Sequence, residues 1–186
     1  GSSVAVSGDG STALIGAING NSGKGAAYLF KRAGSTWSYY APLLGPDSAS
    51  LDRFGSSVAL NIDGTVALIG AYTRNSNQGA AYVFASQNQT WSHQATLTAP
   101  SAAADDYFGA SVALNDNGST ALIGANGKNT FQGAAYVFTR AGSTWSYQGT
   151  LTDASGAQYD GFGTAVTLNS DGNTALVGAP NSLSNR

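Results

Sequence analysis

Apolar positions along this chain come in short runs separated by polar turns, and one stretch shows the pattern whole. Ala110–Leu114 and Thr120–Ala125 are apolar runs flanking Asn117-Gly118, a pair that predicts a hairpin closed by a type I′ turn, whose two central residues both need φ > 0. Two further runs follow, Gly133–Thr139 and Thr144–Thr152. The first three runs are apolar at odd and even positions alike, which predicts strands covered on both faces. The fourth alternates, with Trp145, Tyr147 and Leu151 at one parity and Ser146, Gln148 and Thr150 at the other, as in a half-buried outer strand.

The same four runs return at a fixed interval. Val4, Val58, Val112 and Val166 stand 54 residues apart, as do Gly16, Gly70, Gly124 and Gly178. Trp37, Trp91 and Trp145 keep that spacing, and Arg32–Tyr39 is repeated unchanged as Arg140–Tyr147. Asx-Gly pairs mark the same turn at Asp9-Gly10, Asp63-Gly64 and Asp171-Gly172. A second short turn is Ala33-Gly34-Ser35 and Ala141-Gly142-Ser143; its counterpart Gln87-Asn88-Gln89 has no Gly, so a different geometry is expected there.

Four-stranded antiparallel units at a strict period, buried on both faces, predict an all-β β-propeller, in which small sheets stack radially. The expected blades are 1–53, 54–107 and 108–161, with 162–186 supplying the first two strands of a fourth. Such a series is expected to be part of a larger ring, or to self-associate through open blade edges, because uncovered sheet faces and edges invite association.

Composition narrows the function. Only 10% of residues are charged, the net charge is −2, and all 10 acidic residues are Asp. No basic patch is present to hold nucleic acid. Cys and Met are absent, which removes disulfides, thiolate metal sites and a Cys nucleophile. No apolar run approaches the length of a membrane-spanning helix, and the first residues carry no signal-peptide pattern.

Phe54-Gly55 before the first strand and Gly178-Ala179-Pro180 after the second resemble the FG-GAP repeat, over the whole chain. Gly-Ala-Ala-Tyr-Val-Phe and Gly-Ser-Thr-Trp are most similar to its bacterial branch. Ile18, Tyr72 and Asn126 replace the Pro in the other copies. The resemblance implies a seven-bladed propeller of the kind at the head of integrin α subunits and of bacterial surface or secreted proteins. It therefore implies a non-catalytic binding or adhesion module at the cell surface, with a protein or glycan ligand. A structural, self-assembling scaffold is the alternative, and a hydrolytic enzyme a more distant one.

The resemblance also raises calcium, which many such repeats bind between their first two strands. Calcium takes six to eight oxygens, several from carboxylates. The turns here, such as Asn61-Ile-Asp-Gly64 and Asn115-Asp-Asn-Gly118, offer one carboxylate each in a short loop, so neither calcium nor another cofactor is expected.

Candidate sites follow from what varies. The segments joining the second and third strands, 18–24, 72–78, 126–132 and 180–186, are polar and differ between copies. They share a face with the loops from the fourth strand to the next first strand, and scaffold-mounted variable loops are where binding resides. Tyr72, Arg74, Lys128 and Phe131 are the candidate ligand contacts. Phe54-Gly55, Phe108-Gly109 and Phe162-Gly163 are read as packing plus a backbone bend, and Trp37, Trp91 and Trp145 as inter-blade packing. His93, the single histidine, aligns with Tyr39 and Tyr147 and should pack as they do. Asp52, Asp106 and Asp160, each two residues before a Phe, are expected to accept backbone N–H bonds in their loops.

Overall fold

A computed structural model describes residues 1–182, so the last of the variable segments, 180–186, lies partly outside the described residues. Three antiparallel four-stranded sheets and one hairpin account for all the strands described. The first sheet holds β1 (Ser3–Val6), β2 (Thr12–Ala17), β3 (Ala26–Ala33) and β4 (Thr36–Leu43). The second holds β5 (Val58–Leu60), β6 (Val66–Ala71), β7 (Ala80–Gln87) and β8 (Thr90–Leu97). The third holds β9 (Phe108–Leu114), β10 (Thr120–Ala125), β11 (Ala134–Ala141) and β12 (Thr144–Leu151). The hairpin is β13 (Ala165–Leu168) and β14 (Ala175–Gly178).

Within each sheet the strands pair in sequence order, while the first strands β1, β5, β9 and β13 neighbour one another across sheets. That is the radial stacking of a β-propeller, with these strands innermost. Both faces of the middle strands are therefore buried, each against a different blade. Leu14, Leu29 and Leu43 of the first sheet meet Ile69, Tyr82 and Phe84 of the second. Leu68, Val83 and Leu97 on the opposite face of the second meet Ile123, Tyr136 and Phe138 of the third. Small residues let the sheets approach where the Phe-Gly segments cross: Ala71, Ala80, Ala125 and Ala134 are fully buried beside Gly109 and Gly163.

The Phe-Gly pairs are the joints of the stack. Phe54 and Phe108 are fully buried, their rings 5.2 and 5.4 Å from Tyr82 and Tyr136. Burying one such ring contributes about 1.5–3 kcal/mol. Each following Gly crosses the preceding blade in direct backbone contact. A Cβ on Gly70 would lie 2.1 Å from the Gly109 carbonyl oxygen, and Gly109 itself has φ +89°. The Ser57 hydroxyl donates to that same carbonyl at 2.8 Å, and Ser3 and Ser111 do likewise to Gly55 and Gly163. Only glycine fits on both sides of this crossing.

Four expectations are corrected. The Asx-Gly turns are not type I′. Gly10, Gly64, Gly118 and Gly172 take positive φ, but the Asx before each does not. The turn is instead closed one residue earlier, by Gly118 N–H donating to the Asn115 carbonyl at 3.0 Å. The buried Asn115 side chain then accepts from Ser119 and Thr120 N–H, and Asn61 does the same for Thr65 and Val66. The two-residue arrangement with both central φ positive occurs where no Gly stands, at Asn88 (φ 50°) and Gln89 (φ 64°).

The second correction concerns the fourth strand. Tyr147 pairs with Phe138 and Gly149 with Val137, leaving Gln148 as a β-bulge. One extra residue reverses the alternation. Trp145 and Tyr147 therefore face the preceding blade, while Leu151 faces the following one, not the same side. Tyr40 and Gln94 are the extra residues in β4 and β8, and Leu43 and Leu97 are buried as a result.

Third, the tryptophans are not equally packed. Trp91 and Trp145 lie against the cores with their preceding blades, whereas Trp37 is 43% exposed on the open face of the first sheet. Fourth, strand limits move slightly: β9 begins at Phe108, and β11 runs to Ala141.

Candidate functional site

The two rims of the blade stack differ in construction. On one, the β1–β2 turn and its equivalents are tied across blades by a row of backbone bonds: Gly8 N–H to Ile62 O (2.7 Å), Ile62 N–H to Asp116 O (3.0 Å), Asp116 N–H to Ser170 O (3.1 Å). The other rim carries the loops after β2, β6 and β10 and those leading into β5, β9 and β13.

On that second rim each loop contains one tight turn, at Gly20–Gly23, Arg74–Asn77 and Lys128–Phe131. Their central residues are left-handed: Asn21 and Ser22, Asn75 and Ser76, Asn129 and Thr130. The third left-handed residue is Gly23 in the first loop but Asn77 (φ 63°) and Phe131 (φ 62°) in the others. The turn then grips the adjoining loop by its backbone, with Tyr107 N–H donating to Asn77 O at 2.9 Å and Gly161 N–H to Phe131 O at 2.8 Å. The gripped residues Tyr107 (φ 56°) and Gly161 (φ 70°) are left-handed, as is Arg53 (φ 56°) at the same repeat position, although in that copy it is Leu51 N–H that donates to Gly23 O.

Between the second and third blades these loops leave a groove of about 550 Å³, lined by Arg53, Tyr72, Thr73, Asn77, Tyr107, Ala110, Asn126 and Phe131. Its aromatic rings form a series. Arg53 lies 5.4 Å over the Tyr72 ring and donates to its hydroxyl. Tyr72 meets Tyr107 at 5.8 Å, Tyr107 meets Phe131 at 5.9 Å, and Phe131 runs on to Tyr159 at 6.1 Å with the two planes only 19° apart. Tyr159 is 61% exposed. Asp105 sits at the edge, accepting from Asn77 Nδ2 at 2.7 Å and from the Tyr107 hydroxyl at 3.5 Å. Some burial and the nearby Asp105 carboxylate push the Tyr107 phenol upward.

Of the four candidate contacts, Tyr72 and Phe131 meet in this groove. Arg74 and Lys128 do not: both are engaged in ion pairs that brace the loops. Arg74 pairs with Asp47 at 2.5 Å, and Asp47 also accepts from the buried Tyr82 hydroxyl at 2.7 Å. Partial burial alone would raise the Asp47 pKa, but Tyr82 and Arg74 outweigh it and hold it low. Lys128 reaches the Ser101 carbonyl (2.8 Å) and the buried Asp106 carboxylate (2.9 Å). Asp106, like Asp52 and Asp160, accepts a backbone N–H at 2.8 Å from three residues upstream. His93 packs on Tyr82 and Phe84 at 6.0 and 5.6 Å, as Tyr147 packs on Tyr136 and Phe138.

The reading of loop sequences alone missed Arg53, Asn77, Tyr107 and Tyr159. A signal for two of these positions was present. The residue before Phe-Gly is Arg53, Tyr107 and then Gly161, and the partner position is Gly23, Asn77 and then Phe131. A glycine in one copy marks a left-handed position, and a large side chain in its place marks a residue retained against that preference.

The FG-GAP repeat family matches residues 37–84, 91–138 and 145–185. These matches cover most of the chain, which therefore belongs to the FG-GAP repeat proteins. Each match begins at a Trp of a fourth strand, and the first two end at a Phe within the next blade's third strand, Phe84 and Phe138. The family unit thus contains the loop and Phe-Gly joint that connect two blades. A comparison with curated proteins gives no match.

Proposed function

We propose that this FG-GAP propeller is a non-catalytic binding module of a secreted or cell-surface protein, and that it takes its ligand on the rim bearing the groove. One observation carries the reading. Four of the eight groove-lining residues, Arg53, Asn77, Tyr107 and Phe131, are non-glycine residues in the left-handed region. Each costs on the order of 1 kcal/mol relative to glycine. The chain itself uses glycine at both repeat positions, as Gly161 and Gly23, so the fold does not require the larger side chains. Strain of this kind gathers where side chains have work to do.

The polar contacts of the rim support adhesion over catalysis: its buried carboxylates Asp52, Asp106 and Asp160 are each taken up by backbone N–H groups. Probing the intact protein against glycan and protein arrays tests the proposal. Tyr107→Gly, which restores the glycine of the sister copy, is expected to abolish capture while leaving the fold intact. Capture that survives both this change and Phe131→Gly would place the binding surface elsewhere and overturn the reading.

A further inference from the structure

The groove is specific enough in its chemistry to suggest a class of ligand, granted that the rim binds one. We propose that it takes an acidic oligosaccharide, with sugar rings lying along Tyr72, Tyr107, Phe131 and Tyr159 and a carboxylate on Arg53.

Three features lead there. The first is charge. The ion pairs among the described residues are Arg74–Asp47 and Lys128–Asp106, so Arg53 contributes a guanidinium paired with neither. It is held over Tyr72, with its fork of N–H groups beside the groove, and a guanidinium matches a carboxylate in geometry as well as charge. Asp105 is an acidic group nearby, and its carboxylate is taken up by Asn77 and Tyr107.

The second is the alternation of flat apolar surface with neutral polar groups. Ring centroids follow one another at 5.8, 5.9 and 6.1 Å, comparable to the length of one pyranose ring. Thr73, Asn77 and Asn126 lie among them with hydroxyl and amide groups. A sugar presents a C–H face to an aromatic ring and hydroxyls at its edge, so it uses both kinds of wall. Tyr159, stacked on Phe131 with its plane nearly parallel and largely exposed, carries the aromatic surface beyond the cavity, which suits a chain longer than one sugar.

The third separates a glycan from a peptide. An extended peptide binds by adding main-chain hydrogen bonds to a free edge. Here the loop backbones spend those groups on each other: Tyr107 N–H on Asn77 O, Phe108 N–H on Gln78 O, Gly127 N–H on Asp106 O, and Asn77 N–H on Thr73 O. What the groove offers is side chains.

The test uses the intact protein with tetragalacturonate as the acidic probe and cellotetraose as the neutral one, read by calorimetry and by the ring resonances of the four aromatics. Tetragalacturonate is expected to bind, with perturbation of Tyr107, Phe131 and Tyr159, and to weaken as salt rises. Arg53→Gln should reduce its affinity about tenfold or more, Arg53→Lys less, and neither should change cellotetraose binding. Arg53→Gly places the residue of the sister position Gly161 there and guards against a folding artefact. Tetragalacturonate affinity unchanged by Arg53→Gln overturns the assignment. So does failure to bind tetragalacturonate while groove variants still abolish capture of a protein ligand, an outcome that leaves the binding module itself standing. Absence of any ligand dependent on the groove overturns both.

Discussion

The two rims of this propeller are built from the same repeat, yet they solve opposite problems. On the rim of the β1–β2 turns, an Asn or Ser side chain closes each of those turns, a glycine takes the left-handed position in each, and neighbouring blades are bonded turn to turn. On the groove rim the equivalent left-handed positions hold Arg, Asn, Tyr and Phe, and the loops are braced by ion pairs found in one copy each. The β1–β2 turns are relaxed and uniform; the groove rim stores strain and differs from blade to blade. Where a repeat protein spends stability, and does so differently in each copy, it is specialising those copies.

The comparison can be broken most severely at the element both rims depend on, the crossing of blades. Gly70→Ala puts a methyl 2.1 Å from the Gly109 carbonyl, a backbone atom with no room to move. A loss of more than about 3 kcal/mol, or failure to fold, is expected in denaturant titration. On the relaxed rim, Asn115→Ala strips the acceptor from Ser119 and Thr120 N–H at a fully buried position. It should cost about 2 kcal/mol without altering the groove's ring resonances.

Alkali probes the blade interfaces between the rims. Burial, reinforced by Asp47, raises the Tyr82 pKa, and burial with help from Asp106 and Tyr147 pushes Tyr136 up to about 12. Between the ordinary tyrosine value of 10.0 and those folded values, the unfolded chain has lost protons the native one retains. The contribution of these two tyrosines to stability is therefore complete below pH 10 and is lost above it, so thermal unfolding across that range should show a declining midpoint that Tyr136→Phe makes less steep.

Smaller effects belong to the strained rim. Phe131→Gly relieves a φ of 62° but forfeits contacts with Tyr107 and Tyr159 from a ring already 38% exposed. The two changes nearly offset, and stability should stay within about 1 kcal/mol of the parent. A loss of the size typical for a core Phe would show that the ring holds the fold together and would erase the contrast between the rims. Smallest of all, and on the opposite rim, is Asp9 of the β1–β2 turn, whose carboxylate accepts from the Ser7 hydroxyl and from Ser11 N–H, which hold its pKa at about 2. Carbon-detected titration should place its midpoint there, well below that of an unstructured Asp.

Much of the architecture was legible because the repeat is so regular. The 54-residue spacing, the paired turns and the doubly apolar strands lead to blades without any coordinates. The β-bulges at Tyr40, Gln94 and Gln148 were not legible, since alternation in sequence cannot show that a residue has been looped out. The turn geometry failed for a related reason: Asx-Gly specifies a left-handed glycine, but which residue closes the turn depends on where the buried Asn side chain finds its N–H partners. The groove was half visible. Tyr72 and Phe131 stood out as large residues in variable loops, but Tyr107 and Arg53 sit beside the invariant Phe-Gly and were absorbed into it.

The sequence by itself determined the period, the strands, the glycine joints and the side of the stack that varies, because these rest on local chemistry repeated in register. Only the tertiary structure decided which variable residues share a site. Tyr72, Tyr107, Phe131 and Tyr159 come from four different loops, and Arg74 and Lys128, which look equally available in sequence, are drawn away by Asp47 and Asp106. Contacts between loops depend on how one blade is seated against the next, and a one-dimensional pattern carries no record of that seating.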